Sequence, residues 1–409
     1  MALLSICGFE AADAIEAGSA LAGTASIQST VKRTGGYALQ VNPTTTGTGA
    51  FTYMWPDATG KIFNQLTGIG TFWHRFYFRV DTLPAANDEE IELCLGNGAP
   101  AAYGLRITSG GVLKLYRDEV FGGAPSVVAT GTTALSTGTF YRIEWKLGNG
   151  ATAPYEVKIG GLSEFSGTTD TGTTTLWQYF IVGKYSNKNG QSVNFYYDDL
   201  AVNDAAYPGV GEVHILKPRA AGASAQWATG TSALFSAVNE VPNDGDTSYI
   251  KDSTSGDVSS FAMDSSATGG VLGNIAAVQI VAVCRDEGGA SSIKVRLRNG
   301  STNRDATGVA SMGTTYRGLA RIDATDPNTG AAWTSGGLDT IEAGVVNGAS
   351  VAARCTAIYA MVECAGSSEP YPAGYFQQVP QQSGGNPLLR MARRWVPARR
   401  GLLIPEFAR

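Results

Sequence analysis

Charge is scarce in this chain. Only 16% of its 409 residues are Asp, Glu, Lys or Arg, and 30 basic against 35 acidic side chains leave a formal net charge of −5. That balance excludes a uniformly basic surface tracking a nucleic acid backbone, so no nucleic acid partner is expected. Histidine is scarcer still. His74 and His214 are the only two, and they fall in different halves, which excludes a His-based triad or a two-His metal site within one domain. The five cysteines, Cys7, Cys94, Cys284, Cys355 and Cys364, contain no CxxC pair, which argues against zinc and thioredoxin chemistry. Cys94, Cys284 and Cys355 lie inside apolar runs and read as buried thiols, as assembly in a reducing cytoplasm allows. GxSxG and Walker A sequences are lacking, and the GNG triplets at 96–98 and 148–150 read as hairpin turns. No run reaches the roughly 18 apolar residues that cross a bilayer. The opening MALLSICGFE lacks the basic region and apolar length of a signal peptide. Neither a membrane span nor export by the usual route is expected.

What the chain does have is glycine, threonine and serine, with Gly alone numbering 52. That composition suits many short strands joined by tight turns. In TFWHRFYFRV, residues 71–80, Phe72, His74, Phe76, Phe78 and Val80 share one face, and Trp73, Arg75, Tyr77 and Arg79 the other. FYRIEWKL, residues 140–147, alternates Tyr141, Ile143, Trp145 and Leu147 against Arg142, Glu144 and Lys146. Ser109-Gly110-Gly111 and Asn299-Gly300 are hairpin signals. IAAVQIVAVC, residues 275–284, is nearly all apolar, as a strand buried on both faces would be. VNFYYDDLAVND, residues 193–204, reads as the strand that closes a first block before PGVG, residues 208–211, breaks the pattern. The length favours two cores. The expected class is therefore all-β: two β-sandwich (jelly-roll) domains at 1–206 and 207–365, then a linker and an extended basic C-terminal arm at 366–409.

The order of pieces in the first block is specific. A GFE first strand, GGYALQV, WHRFYFRV, the YGLRITSGGVLKLY hairpin, FYRIEWKL and a closing YYDDLAVND resemble the concanavalin A-like (laminin-G-like) jelly roll, in the versions found in structural proteins of tailed bacteriophages. The second block, with DGDTSYI, AAWT, IEAGVV and a closing RCTAIYAMVE, resembles a β-sandwich that recurs in phage tail and head-surface proteins. No internal repeat relates the two blocks.

Three groups of residues are candidate sites. Asp88, Glu90 and Glu92 fall on alternate positions of DEEIE, so a regular strand would project all three from one face. Concanavalin A-like glycoside hydrolases carry a strand with alternating acids, but this segment departs from their ExDxxE and ExDxE patterns. A solvated or polar sheet face is the simpler reading, and no catalytic residue is assigned. In related jelly-roll binding modules a calcium ion bridges a Glu near the first strand and an Asp near the last. The resemblance places Glu10 and Asp199 there; the plainer alternative is an aspartate accepting backbone N–H bonds at a turn. Asp198 and Asp199, being adjacent, should point to opposite faces. Asn243, Asp244 and Asp246 look like a calcium loop but lack its closing Glu, and read as a turn. The aromatic and basic face of residues 71–80 suits either stacking on sugar rings or packing beneath a loop or a neighbour.

The arm holds six arginines against one acid, Glu406, over 387–409. Arg390, Arg393, Arg394, Trp395, Arg399, Arg400, Leu402, Leu403 and Phe407 are its candidate partner-binding residues, because such a tail cannot bury its apolar side chains alone. The resulting expectation is a non-enzymatic virion structural protein of a tailed phage, in head decoration, neck or tail. It would assemble in the host cytoplasm with other virion proteins and as a homo-oligomer. The alternatives are a glycan- or receptor-binding module facing a host-surface glycan, and a polysaccharide-degrading hydrolase.

Overall fold

The computed structural model describes residues 3–366 apart from 18–20, 54–68, 97–101, 118–124, 173–175, 186–189, 230–232, 272, 290, 307–308 and 311. The arm and every residue assigned to it lie outside the described residues. Within them the chain is nearly all β. The helical elements are two 3-10 turns, Ala14–Ala17 and Leu234–Ala237, and the short helix Ser335–Leu338 capped by the Thr334 side chain. Among the described residues no helix is long and apolar enough to cross a membrane.

Among the described residues the strands form four antiparallel sheets. The first runs Leu162–Thr169, Ala153–Ile159, Phe140–Leu147, Phe72–Thr82, Asn194–Asn203, Ala38–Val41 and Ala25–Gln28, with Leu3–Cys7 also on Asn194–Asn203. The second runs Ser126–Ala134, Val112–Arg117, Ala102–Ile107, Glu89–Gly96, Trp177–Lys184, Gly49–Tyr53 and Leu21–Gly23. These two sheets pack face to face through aromatic side chains. Phe72 of the first meets Phe180 and Trp177 of the second edge-on, at 4.7 and 5.9 Å between ring centroids. The alternation of residues 72–80 and 140–147 dictates this, because the apolar half of each strand has only the opposing sheet to bury against.

The third sheet runs Ala228–Thr229, Ile250–Asp252, Ala353–Ala365, Asn274–Asp286 and Arg317–Asp323, with Gly211–Leu216 also on Ala353–Ala365. The fourth runs Pro218–Ala225, Val258–Met263, Ile341–Asn347, Ser292–Asn299 and Thr302–Asp305, with Val309–Ala310 on Ser292–Asn299. The third sheet is buried on both faces. Val278, Ile280, Ala282, Ile358, Ala360 and Val362 face the fourth sheet's Phe261, Val295 and Val345. Their alternate neighbours Val281, Val283, Ala357, Tyr359 and Met361 pack on Ile6, Ala11 and Ala201 of the first sandwich. The nearly all-apolar run at 275–284, broken only by Gln279, is explained by this double duty.

Polar contacts lock the same junction. The Gln279 amide donates to Ile6 O at 3.1 Å and accepts from Ile6 N at 3.2 Å, so one side chain acts as an extra rung of backbone. Arg75 of the first sheet reaches Glu363 of the third through bonds of 2.5 and 3.0 Å, with both side chains buried. Burial disfavours the Arg75 charge, but Glu363 more than offsets this and raises its pKa. Gly211 lies against this pair: a Cβ there would stand 2.0 Å from Glu363 Oε1 and 2.2 Å from Arg75 Nη1.

Candidate functional site

The acidic strand does not present its carboxylates together. Pairing with Ala102–Ile107 matches Glu90 to Arg106 but Glu92 to Leu105, so Ile91 is bulged out of register. The bulge defeats simple alternation, correcting the expectation that Asp88, Glu90 and Glu92 share a face. Glu92 turns into the core, where it meets His74 of the opposing sheet at 2.5 Å with both side chains fully buried. Burial pushes the Glu92 carboxyl up, against the pull of His74 and the Trp145 indole. Glu89 pairs in the interior with Lys184 at 3.4 Å.

Asp88 and Glu90 fall on the opposite, outer side of the second sheet. Asp88 Oδ2 accepts from Lys114 Nζ at 2.8 Å and from the Tyr116 hydroxyl. Glu90 Oε1 lies 3.7 Å from Arg106 Nη2, and the Arg106 guanidinium stacks 4.3 Å from the centre of the Tyr116 ring. Three adjacent strands thus bring two carboxylates, two cations and a phenol together. Asp88 and Lys114 form its more exposed end, at 17% and 24%, while Glu90 and Arg106 are buried. Carboxylates in such pairs accept hydrogen bonds, and Lys114 and Tyr116 donate, which are the two functions a sugar's hydroxyl groups need. Sequence reasoning missed Arg106, Lys114 and Tyr116. Their only signal was their place on the polar half of YGLRITSGGVLKLY.

Glu10, Asp198 and Asp199 gather near the Arg33–Tyr37 segment. Adjacent aspartates were expected on opposite faces, but Asp199 has φ 47° and a register shift separates Asp198 from Ala201. That left-handed residue turns both carboxylates toward one segment. Asp198 accepts from Arg33 N, Thr34 N and Asp199 N at 2.8, 3.3 and 2.9 Å. Asp199 accepts from Arg33 Nη1, Thr34 Oγ1 and Val213 N at 2.7, 2.8 and 2.7 Å. Glu10 accepts from Gly36 N at 2.7 Å and more weakly from Tyr37 N at 3.5 Å. Gly35, at φ +57°, has no room for a Cβ beside the Glu10 carboxylate. Burial pushes Glu10 up to about 7, helped by the negative charge of Asp199 and opposed by its backbone donors. Burial, then Asp199, pushes Asp198 well up.

Glu10 and Asp199 are therefore brought close, as a calcium bridge requires. As arranged, however, each oxygen of the three carboxylates already accepts an N–H or O–H, and the Arg33 guanidinium supplies a counter-charge at Asp199. Among the described residues no three His, Cys, Asp or Glu side chains converge as metal ligands. This arrangement does not fit the oxygen shell of calcium, and no function is routed through the ion.

The middle of the aromatic and basic face of residues 71–80 is covered. Arg75 is spent on Glu363, and Tyr77 lies beneath the Arg33 guanidinium at 3.5 Å. The segment after the last strand crosses the same sheet: Gly209 N donates to Glu144 at 2.8 Å and the Tyr207 hydroxyl to Glu156 at 2.9 Å. Packing under the connector and the second sandwich occupies the Arg75–Tyr77 part of this face, while Trp73 and Arg79 at its ends stay half-buried.

No protein-family model matches the chain, and no curated protein matches it. Among solved structures it is similar to the cellulose-induced protein Cip1, at 18% identity over 46% of this chain and 88% of that one, with a TM-score of 0.36. An endo-β-1,4-glucuronan lyase from the fungus Trichoderma reesei matches at 18% identity over 44% and 87%, with a TM-score of 0.34. A carbohydrate esterase from the Shiga toxin-encoding bacteriophage phi24B matches at 13% identity over 49% and 97%, with a TM-score of 0.36. The expectation of a non-enzymatic protein does not stand beside these neighbours, two of which are named as carbohydrate-active enzymes. At such identities they assign no activity to this chain.

Proposed function

We propose that the first sandwich recognises a carbohydrate on the outer side of its second sheet, through Asp88 and Lys114, which the buried Tyr116, Arg106 and Glu90 beside them hold in place. The observation that carries this is the convergence of these five side chains from three neighbouring strands, away from the core pairs His74–Glu92 and Lys184–Glu89 and away from the junction of the two sandwiches. A glycan array followed by titration of the best oligosaccharide tests it. Asp88→Ala and Lys114→Ala are expected to weaken binding at least about tenfold, with the melting temperature little changed. No binding across the array, or full binding by both variants, overturns the reading. Turnover is assayed on the same oligosaccharide, by release of reducing ends and by absorbance of unsaturated uronate. Activity lost in Glu90→Gln would place chemistry at this surface as well as recognition.

The setting we propose is the virion of a tailed phage. Its support is the order of strand motifs in both blocks and the arginine-rich, apolar composition of 387–409. Mass spectrometry of purified particles tests it, and loss of the chain from particles on deletion of 387–409 is the expected result for an anchoring arm. A chain absent from particles, or retained without the arm, counts against it.

A further inference from the structure

At one rim of the third sheet, two arginines and a tyrosine surround a single carboxylate oxygen. Arg285 and Arg354 are cross-strand partners in register. Like charges so placed repel, and an anion between them relieves the cost. Asp246 supplies it: its Oδ1 accepts from Arg285 Nη2 at 2.8 Å and Nε at 3.3 Å, from Arg354 Nη1 at 2.9 Å and from the Tyr316 hydroxyl at 2.8 Å. Arg354 also donates to Glu287 and lies 4.1 Å over the Tyr249 ring, while Arg285 lies 5.2 Å from the Tyr316 ring. The arginine side chains are 14% and 21% exposed, and Asp246 is 56% exposed. Hydrogen bonds from Arg285, Tyr316 and Arg354 hold the Asp246 carboxyl down at about 2.

The donors stand on or beside strands and the anion stands on a turn, so the two are separable. The base of the turn is held independently, because Asp244 accepts from Ser248 N, Ser248 Oγ and Thr356 Oγ1 at 3.2, 2.9 and 3.2 Å. Gly245, at φ +66° with open space around it, precedes Asp246 directly. A rigid donor set closed by an exposed internal carboxylate has the form of a ligand site occupied by a stand-in.

We propose that Arg285, Arg354 and Tyr316 form a site for the carboxylate of an acidic sugar, a uronate or a sialate, which Asp246 occupies in the ligand-free chain. The site offers one carboxylate position flanked by two tyrosines, which suits a single sugar acid. This site is on the second sandwich and does not depend on the surface proposed above.

Calorimetric titration of the full chain with glucuronate and with N-acetylneuraminate, against glucose and acetate as controls, tests the proposal. Asp246→Ala removes the stand-in and is expected to bind one of the sugar acids at least about tenfold more tightly than the unaltered chain. Asp246→Asn, which keeps the shape of the turn, is expected to fall between them and serves if the alanine variant misfolds. Adding Arg285→Met to either variant is expected to abolish the binding. Equal affinity with and without Asp246, no binding in either variant, or binding that survives Arg285→Met overturns the site. Acetate bound as tightly as the sugar acids overturns its assignment to a sugar.

Discussion

Glu10 has almost no access to water yet holds only one short backbone hydrogen bond, and its neighbours Asp198 and Asp199 are also acidic. With its pKa raised from 4.5 to about 7, the folded state binds this proton more tightly than the unfolded state. Stability from this group is therefore full below about pH 4.5 and lost as pH rises through 7, on the order of 3 kcal/mol at about 1.36 kcal/mol per pH unit. Thermal melts across that range are expected to show Glu10→Gln with a flatter pH dependence than the unaltered chain. A slope unchanged by the substitution would remove Glu10 from the account. Calcium is checked in the same melts. Because each oxygen of the cluster already holds a donor, calcium and a chelator are expected to give the same melting temperature, and a calcium-dependent rise would return the ion to Glu10 and Asp199.

Among the elements, the Ala353–Ala365 strand carries the most. Its even-numbered residues from Ile358 to Cys364 line the second sandwich core, and Ala357, Tyr359 and Met361 face the first sandwich. Glu363 ends that outer row against Arg75. Removing one partner of a buried pair strands the other charge, so Glu363→Ala is expected to cost about 3–5 kcal/mol in chemical denaturation, whereas a surface carboxylate on the same sheet would cost under about 1. Gly211→Ala acts on the same pair by collision, and a loss above about 1 kcal/mol is expected. A neutral Gly211→Ala would show that the ion pair can shift without penalty.

The strands and hairpins were legible because side-chain alternation and turn residues are local properties. Tyr141, Ile143, Trp145 and Leu147 face inward as their spacing requires, and Asn299-Gly300 makes the expected hairpin, with Gly300 at φ 57°. The facing of the acids was not legible. Ile91 and Asp199 each break alternation, and a bulge depends on how a partner strand pairs, which a single strand's residues do not state.

For the molecule as a whole, the junction is the feature that matters most. The first sandwich lays Ile6, Ala11 and Ala201 on the third sheet, and Gln279 and Glu363 add directional bonds across it. Neither sandwich can expose that surface without uncovering apolar side chains and buried charge together. Scanning calorimetry of residues 1–366 is expected to show one cooperative transition. Two well-separated transitions would mean the sandwiches unfold as independent domains.

By itself the sequence determined that this chain folds as β-sandwiches, where most strands lie, and that the 275–284 strand is buried on both faces. These follow from composition and from spacing of two residues, which each short segment carries within itself. Only the tertiary structure decided which charges meet. Arg75 and Glu363 are 288 positions apart, Arg33 and Asp199 are 166 apart, and Asp246 and Arg354 are 108 apart. Each pairing is set by how sheets stack and where the chain bulges, so no local pattern announces it.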